Sequence, residues 1–205
     1  MKTRFYAPAR AIEQMSTAEL QDQFLIEHLF EPGEMRLAYF AFDRLMIAGV
    51  SPRPELTVFS SEDINESFLS SRREAGLINI GDAGIVNVDG VDFEVGPLEC
   101  LYIGRGATRI DFRIIENGKS DFYVLSCPAH RAYPTRLARR CDGLTFEAGD
   151  PLTGSKRKIT RYIHEGGIQS CQLVMGFTEL APGSVWNTWP PHTHLRRSEV
   201  YLYFD

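Results

Sequence analysis

The chain has 205 residues and a mass of 23.2 kDa, room for one large domain or two small ones. With 22 Lys+Arg against 27 Asp+Glu the net charge is −5, which argues against an electrostatically driven nucleic-acid binder. Apolar residues make up 43% and charged residues 24%, an ordinary soluble balance, and no apolar run approaches the roughly 20 residues that cross a bilayer. The opening MKTRFYAPARAIEQ has no apolar signal core. Cys100, Cys127, Cys141 and Cys171 stand apart with no CxxC pair, as expected of reduced thiols in a cytoplasmic protein.

In chain order, Ser16 and Glu19 form an S-x-x-E capping box, which predicts a short N-terminal helix over the following residues. The pattern then turns to short apolar segments divided by Gly, Pro, Asn and Asp. LAYFAFDRLMIAGV, LINIG, GIVNVDGVDFEVG, LECLYIGRG, TRIDFRII and FYVLSC each suit strands of ordinary length. Asp89-Gly90 is a type I′ hairpin signal, with Val86, Val88, Val91, Phe93 and Val95 sharing the apolar faces beside it. Residues 128–159 are polar, rich in Arg and Lys and punctuated by Gly and Pro, and are expected to be a connection wrapping the surface. A second β stretch is expected over 160–205, so the organisation reads 1–127, 128–159 and 160–205. So many strands with so little helix predict a mostly β protein whose antiparallel sheets close as a sandwich or barrel. The run EVYLYFD carries no turn signal or closing strand, which predicts a C-terminally shortened sequence.

The strongest chemical signal is His192-x-His194 followed by Glu199. On a strand, side chains at i and i+2 share a face, so two imidazoles can meet one ion, and Glu199 would join from a bend or a neighbouring strand. Beyond it, Glu199, Tyr201 and Tyr203 are expected on one face and Val200, Leu202 and Phe204 on the other. Two imidazoles and a carboxylate suit Zn, Mn, Fe, Ni or Co. Two histidines after Pro190-Pro191 also fit a plain solvated turn, and the added glutamate on a β background favours the metal site. His28, His130 and His164 are expected to be structural or loop residues. Among the basic clusters, Arg72-Arg73, Lys156-Arg157-Lys158 and Arg196-Arg197, the last lies inside the ligand motif, so Arg196 and Arg197 are the candidates for an anionic substrate. No nucleophile elbow, P-loop or dinucleotide fingerprint is present.

Four blocks carry a resemblance: RREAGLINIGDAGIVNVDG (72–90), LYIGRGA (101–107), CPAHRAYPT (127–135) and CQLVMGFTELAPGSVWNTWPPHTHLRRSEVYLYF (171–204). Together they resemble the 5-keto-4-deoxyuronate isomerases (4-deoxy-L-threo-5-hexosulose-uronate ketol-isomerases) of the cupin superfamily. The resemblance implies two cupins, the second incomplete here, with the metal, usually described as zinc, in the C-terminal one. His192, His194 and Glu199 match three of its ligands; a fourth, a downstream histidine, has no counterpart in this sequence. The implied reaction converts 5-dehydro-4-deoxy-D-glucuronate to 3-deoxy-D-glycero-2,5-hexodiulosonate in pectin and uronate catabolism. The implied assembly is a homo-oligomer, a hexamer. A base must move the proton, and Glu179 and Tyr201 are named for it without a motif to choose between them. Two other readings share the pattern: another metal cupin enzyme, such as a dioxygenase or a different sugar isomerase, and a metal-free sugar-binding β-barrel.

Overall fold

The structure, a computed structural model, describes residues 2–5, 7–53, 57–58, 69–194 and 197–204. Near the N-terminus come strand β1 (Lys2–Arg4), a single helical turn α1 (Ala9–Ile12) and helix α2 (Thr17–Phe24). The expected capping box starts α2: Glu19 N–H donates to Ser16 Oγ at 3.3 Å, and Ser16 N–H donates to Glu19 Oε2 at 2.7 Å. The strands that follow are β2 (Met35–Phe40), β3 (Leu45–Val50), β4 (Thr57–Val58), β5 (Arg73–Asn79), β6 (Gly84–Val88), β7 (Val91–Val95), β8 (Cys100–Ile103), β9 (Ile110–Ile114) and β10 (Phe122–Pro128). After them come β11 (Arg136–Ala138), β12 (Leu144–Ala148), β13 (Arg157–Ile163) and β14 (Met175–Leu180).

These strands make three sheets, ordered β1-β2-β3-β10-β5-β8-β11, β4-β9-β6-β7 and β12-β13-β14. The seven-stranded sheet is the middle layer, and strand alternation sorts its side chains onto two cores. Met46, Ala48, Leu77, Leu101 and Val124 face the four-stranded sheet, where they pack with Val86, Val88, Ile110 and Phe112. Their neighbours Ile47, Ile78, Tyr102, Tyr123 and Leu125 face the three-stranded sheet, where they pack with Tyr162, Ile163, Met175 and Phe177. With both faces covered, β5 is buried along its whole length, its apolar middle Ala75–Ile78 flanked by buried Arg73, Glu74 and Asn79.

The Asp89-Gly90 turn closes β6 on β7 with both residues at positive φ, 50° and 88°, as a type I′ turn requires. Val86, Val88 and Val95 of this hairpin are buried, while Val91 is exposed. The stretch 128–159, expected as a connection, carries two strands. β11 extends the seven-stranded sheet beside β8, and β12 pairs with β13. Both are sheet edges with exposed positions, so their polar sequence is that of edge strands rather than of a loop. The four cysteines are free, Cys100 and Cys127 in the core and Cys141 exposed. Among the described residues, no helix is long and apolar enough to cross a membrane.

Candidate functional site

Beyond β14 the chain leaves the sheet in a tight turn. Ser184 N–H donates to Ala181 O at 2.9 Å with Gly183 at φ 83°. Val185 and Trp186 N–H then both donate to Gly154 O, at 2.8 and 3.1 Å, fixing the start of the next segment against the β12–β13 connection. Trp186 and Trp189 lie ring to ring at 5.3 Å. Past them, His192 Nδ1 lies 2.9 Å from Pro190 O. A carbonyl only accepts, so Nδ1 carries the proton and Nε2 of the neutral ring keeps its lone pair. The His192 ring meets the His194 ring edge to face at a centroid distance of 4.8 Å.

Glu199 gathers the other polar groups. His194 Nε2 lies 2.9 Å and Arg197 Nε 3.2 Å from its Oε1, and Tyr201 Oη donates to its Oε2 at 2.7 Å. Arg197 also approaches His194 Nε2 at 3.4 Å, but both groups are donors when that nitrogen is bonded to the carboxylate, so Glu199 is the partner of each. Burial, with the bond to Glu199, raises the Tyr201 hydroxyl above its ordinary pKa and keeps it a donor. Ser198 Oγ donates to Asp43, which ties the segment to the β2–β3 turn.

The alternation expected past Glu199 is met in part: Val200 and Leu202 turn to the core, while Phe204 is exposed. Tyr201 and Tyr203 stack at 6.4 Å, and Val200 and Leu202 pack onto the core beside the three-stranded sheet. Val200–Phe204, β14 and Ile78, Tyr123 and Leu125 of the middle sheet together line a cavity of about 450 Å³. The strand expected to present His192 and His194 does not form. Among the described residues, 181–204 make no ladder, and the two rings meet through a Pro-shaped irregular segment instead.

His194, Arg197 and Glu199 are brought together, and His192 adjoins them through His194. Arg196 lies outside the described residues. The donor chemistry of His192, His194 and Glu199 fits a divalent cation. Their arrangement is closed, however: Glu199 and His194 are bonded to each other, and among the described residues no group of three or more His, Cys, Asp or Glu is gathered to hold an ion. The other basic clusters are engaged in the fold. Arg73 donates to Ser126 O at 2.7 Å and Arg157 to Ser155 O at 2.9 Å, and Lys156 pairs with Glu147. Glu179 pairs with Arg140 at 2.5 Å. His130 is exposed and His164 Nδ1 accepts from Gly166 N–H at 3.2 Å, so both are loop histidines as expected, whereas His28, expected to be structural, is an exposed loop residue at positive φ. Sequence reasoning passed over Glu74, a fully buried carboxylate on β5. The available signal was an acid directly ahead of the apolar run Ala75–Ile78.

Fold and site together define a mostly β protein of stacked, largely antiparallel sheets, β1 joining β2 in parallel, with an imidazole–carboxylate–guanidinium cluster in the segment that follows β14. A model of the KduI/IolB family matches residues 58–204, and the chain belongs to that family. It is 46% identical over 203 residues to the 4-deoxy-L-threo-5-hexosulose-uronate ketol-isomerase of Opitutus terrae, covering 98% of this chain and 74% of that one. The protein of the same name from Kineococcus radiotolerans is 43% identical over 209 residues, covering 100% and 75%. The resemblance carried by the four sequence blocks is thus shown, and the chain is an enzyme of the ketol-isomerase class, an intramolecular oxidoreductase. Among solved structures, an IolB-like protein from Salmonella typhimurium LT2 matches with a TM-score of 0.50 at 14% identity, over 62% of this chain and 47% of that one, a likeness of fold alone.

Proposed function

We propose that this enzyme interconverts 5-dehydro-4-deoxy-D-glucuronate and 3-deoxy-D-glycero-2,5-hexodiulosonate, with a divalent cation, zinc in the first instance, held by His192, His194 and Glu199. The observation that carries the substrate is the 46% identity, over 98% of the chain, to a relative named for that uronate. The reaction balances without an oxidant: an aldehyde becomes a hydroxymethyl group as the neighbouring carbinol becomes a ketone, one proton moving between the adjacent carbons and one between their oxygens. The cation would polarise the carbonyl and ease loss of that proton.

The chain's own groups supply the rest. Arg197 places a guanidinium beside the cluster, suited to the substrate carboxylate. Tyr201 Oη, bonded to Glu199 at 2.7 Å, holds one carboxylate oxygen so that the other turns toward His194. The proposal extends to architecture. The seven- and four-stranded sheets form a first cupin, the three-stranded sheet begins a second, and the enzyme works as a cytoplasmic homo-oligomer without nucleic-acid or membrane partners.

The test is an isomerase assay on the unsaturated-uronate breakdown product, with elemental analysis of the same sample before and after chelation. Turnover with about one equivalent of metal, lost on chelation and restored by zinc, is the expected result. Turnover that survives complete metal removal would discard the metal role and keep the isomerase. Bound metal with no turnover of this uronate would discard the substrate.

A further inference from the structure

Glu74 is fully buried, where an unpaired carboxylate would be costly. It is instead ringed by donors. Tyr102 Oη and Cys171 N–H donate to Oε2 at 2.8 and 2.7 Å, and Gln172 and Leu173 N–H donate to Oε1 at 2.8 and 2.9 Å. Cys127 Sγ lies 3.5 Å from Oε1. Burial, reinforced by the Glu74 charge, pushes the Cys127 thiol up to about 12 and raises the Tyr102 hydroxyl, so both remain protonated donors. Three consecutive backbone N–H groups from a segment 97–99 residues away therefore converge on one charge.

Alternation along β5 puts Glu74, Gly76 and Ile78 on the face toward the three-stranded sheet. A Cβ at Gly76 would come within 2.7 Å of Leu173 Cδ2 and of Ile163 Cδ1. Leu173 is thus held twice: its N–H by Glu74, and its side chain over the bare backbone of Gly76. The next residues, Val174 and Met175, line the same cavity as Tyr201, and Tyr201 donates to Glu199.

We propose that Glu74 is a positioning residue for the isomerase reaction: its carboxylate, with Gly76 as the socket beside it, fixes where residues 171–175 sit on the middle sheet and so sets the part of the cavity lining that they share with Tyr201, the hydroxyl partner of Glu199. Glu74 acts through the backbone of 171–173 and touches no reacting atom. The proposal rests on the reading of Glu199 as a site residue. Charge-assisted hydrogen bonds are roughly twice as strong as neutral ones. The amide in Glu74→Gln has one acceptor oxygen, and its NH2 would confront donors.

The experiment compares the full chain with Glu74→Gln and Glu74→Asp by amide hydrogen–deuterium exchange and by initial rates on 4-deoxy-L-threo-5-hexosulose uronate. In Glu74→Gln, amides of 171–180 are expected to exchange about tenfold faster, with the 84–95 hairpin unchanged. In the same variant kcat falls about tenfold while KM stays within about twofold, because groups are mis-set rather than lost. Glu74→Asp keeps the charge and recovers part of kcat. Equal acceleration in 84–95 would mean general loosening, and unchanged kcat beside faster 171–180 exchange would confine Glu74 to the fold; either result overturns the proposal. Should the variants not fold, the wild-type chain decides: Cys171, Gln172 and Leu173 amides belong among its slow exchangers, and loop-like exchange there overturns it. An inactive wild type counts against the proposed substrate, while the exchange measurements still decide whether Glu74 holds 171–173.

Discussion

His194 Nε2 and Glu199 Oε1 are 2.9 Å apart, and Arg197 Nε reaches the same oxygen at 3.2 Å. Two of the three proposed ligands are therefore already neighbours, and a cation meeting both must displace the hydrogen bond between them. Loading the metal and breaking this bond are one event, so affinity falls as protons compete for the imidazole. His194→Ala removes a proposed ligand at a partly exposed position. It is expected to abolish stoichiometric metal binding while changing metal-free stability by no more than about 0.5 kcal/mol. Elemental analysis and urea unfolding of the variant check the two halves separately, and unchanged metal content would rule His194 out as a ligand.

Gly104 and Gly90 separate two reasons for glycine. A Cβ at Gly104 would stand 1.8 Å from Tyr133 O, a backbone atom leading into β11, so neither side can yield cheaply. At Gly90 a Cβ would meet nothing within 4 Å, but φ is 88°. Gly104→Ala is expected to cost about 2–3 kcal/mol by overpacking. Gly90→Ala should cost about 1–2 kcal/mol through backbone conformation alone. Urea midpoints at constant m-value distinguish them, and equal costs would contradict this assignment.

Local chemistry was legible in the sequence where it acts over a few residues. The Ser16–Glu19 box and the Asp89-Gly90 turn depend on neighbours in the chain and hold in the structure, as does the inward turn of Val200 and Leu202. The grouping of His194, Arg197 and Glu199 was legible for the same reason. Glu74 was not, because its partners lie 97–99 residues away and no local pattern marks an acid that will be satisfied by a distant backbone. Strands β11 and β12 escaped because edge strands keep polar, exposed faces and so share the composition of loops. The ladder expected around His192 failed for the opposite reason: Pro190 and Pro191 lack the N–H groups it needs.

Asp89 gives the hairpin a pH dependence. Burial raises its carboxyl pKa, but bonds from Thr108 Oγ1 at 2.6 Å and from Arg109 and Thr108 N–H at 2.9 Å outweigh that, so the folded value is lowered. A lowered folded value means stability that is fully present above the unfolded carboxyl value of about 3.9 and is lost as pH falls through the folded value. The site is largely solvated, so the effect is modest. Asp89→Asn is expected to lower the urea midpoint at pH 7, with the gap closing as pH drops well below about 3.9. A gap that persists in acid would mean that the charge is not what holds Thr108 and Arg109.

Tyr162 joins the outer sheet to the middle one. Its ring is 2% exposed and lies 6.0 Å from Phe177, and its hydroxyl donates to Leu98 O at 2.6 Å across the layers. Burial raises that hydroxyl's pKa, so it stays a donor through the neutral range. Tyr162→Phe keeps the ring packing and deletes one bond, leaving the Leu98 carbonyl without that donor, at a cost of about 1–2 kcal/mol. Leu77→Ala, at a 0% exposed position in the other core, opens a cavity instead and should cost about 2–5 kcal/mol. If the layers unfold together, both variants shift one cooperative transition. If the three-stranded sheet opens on its own, Tyr162→Phe will speed amide exchange in 157–180 and leave 84–95 as it was, whereas Leu77→Ala will speed both. Exchange measured region by region on the two variants decides whether the Leu98–Tyr162 bond stabilises the whole molecule or only the seam between its layers.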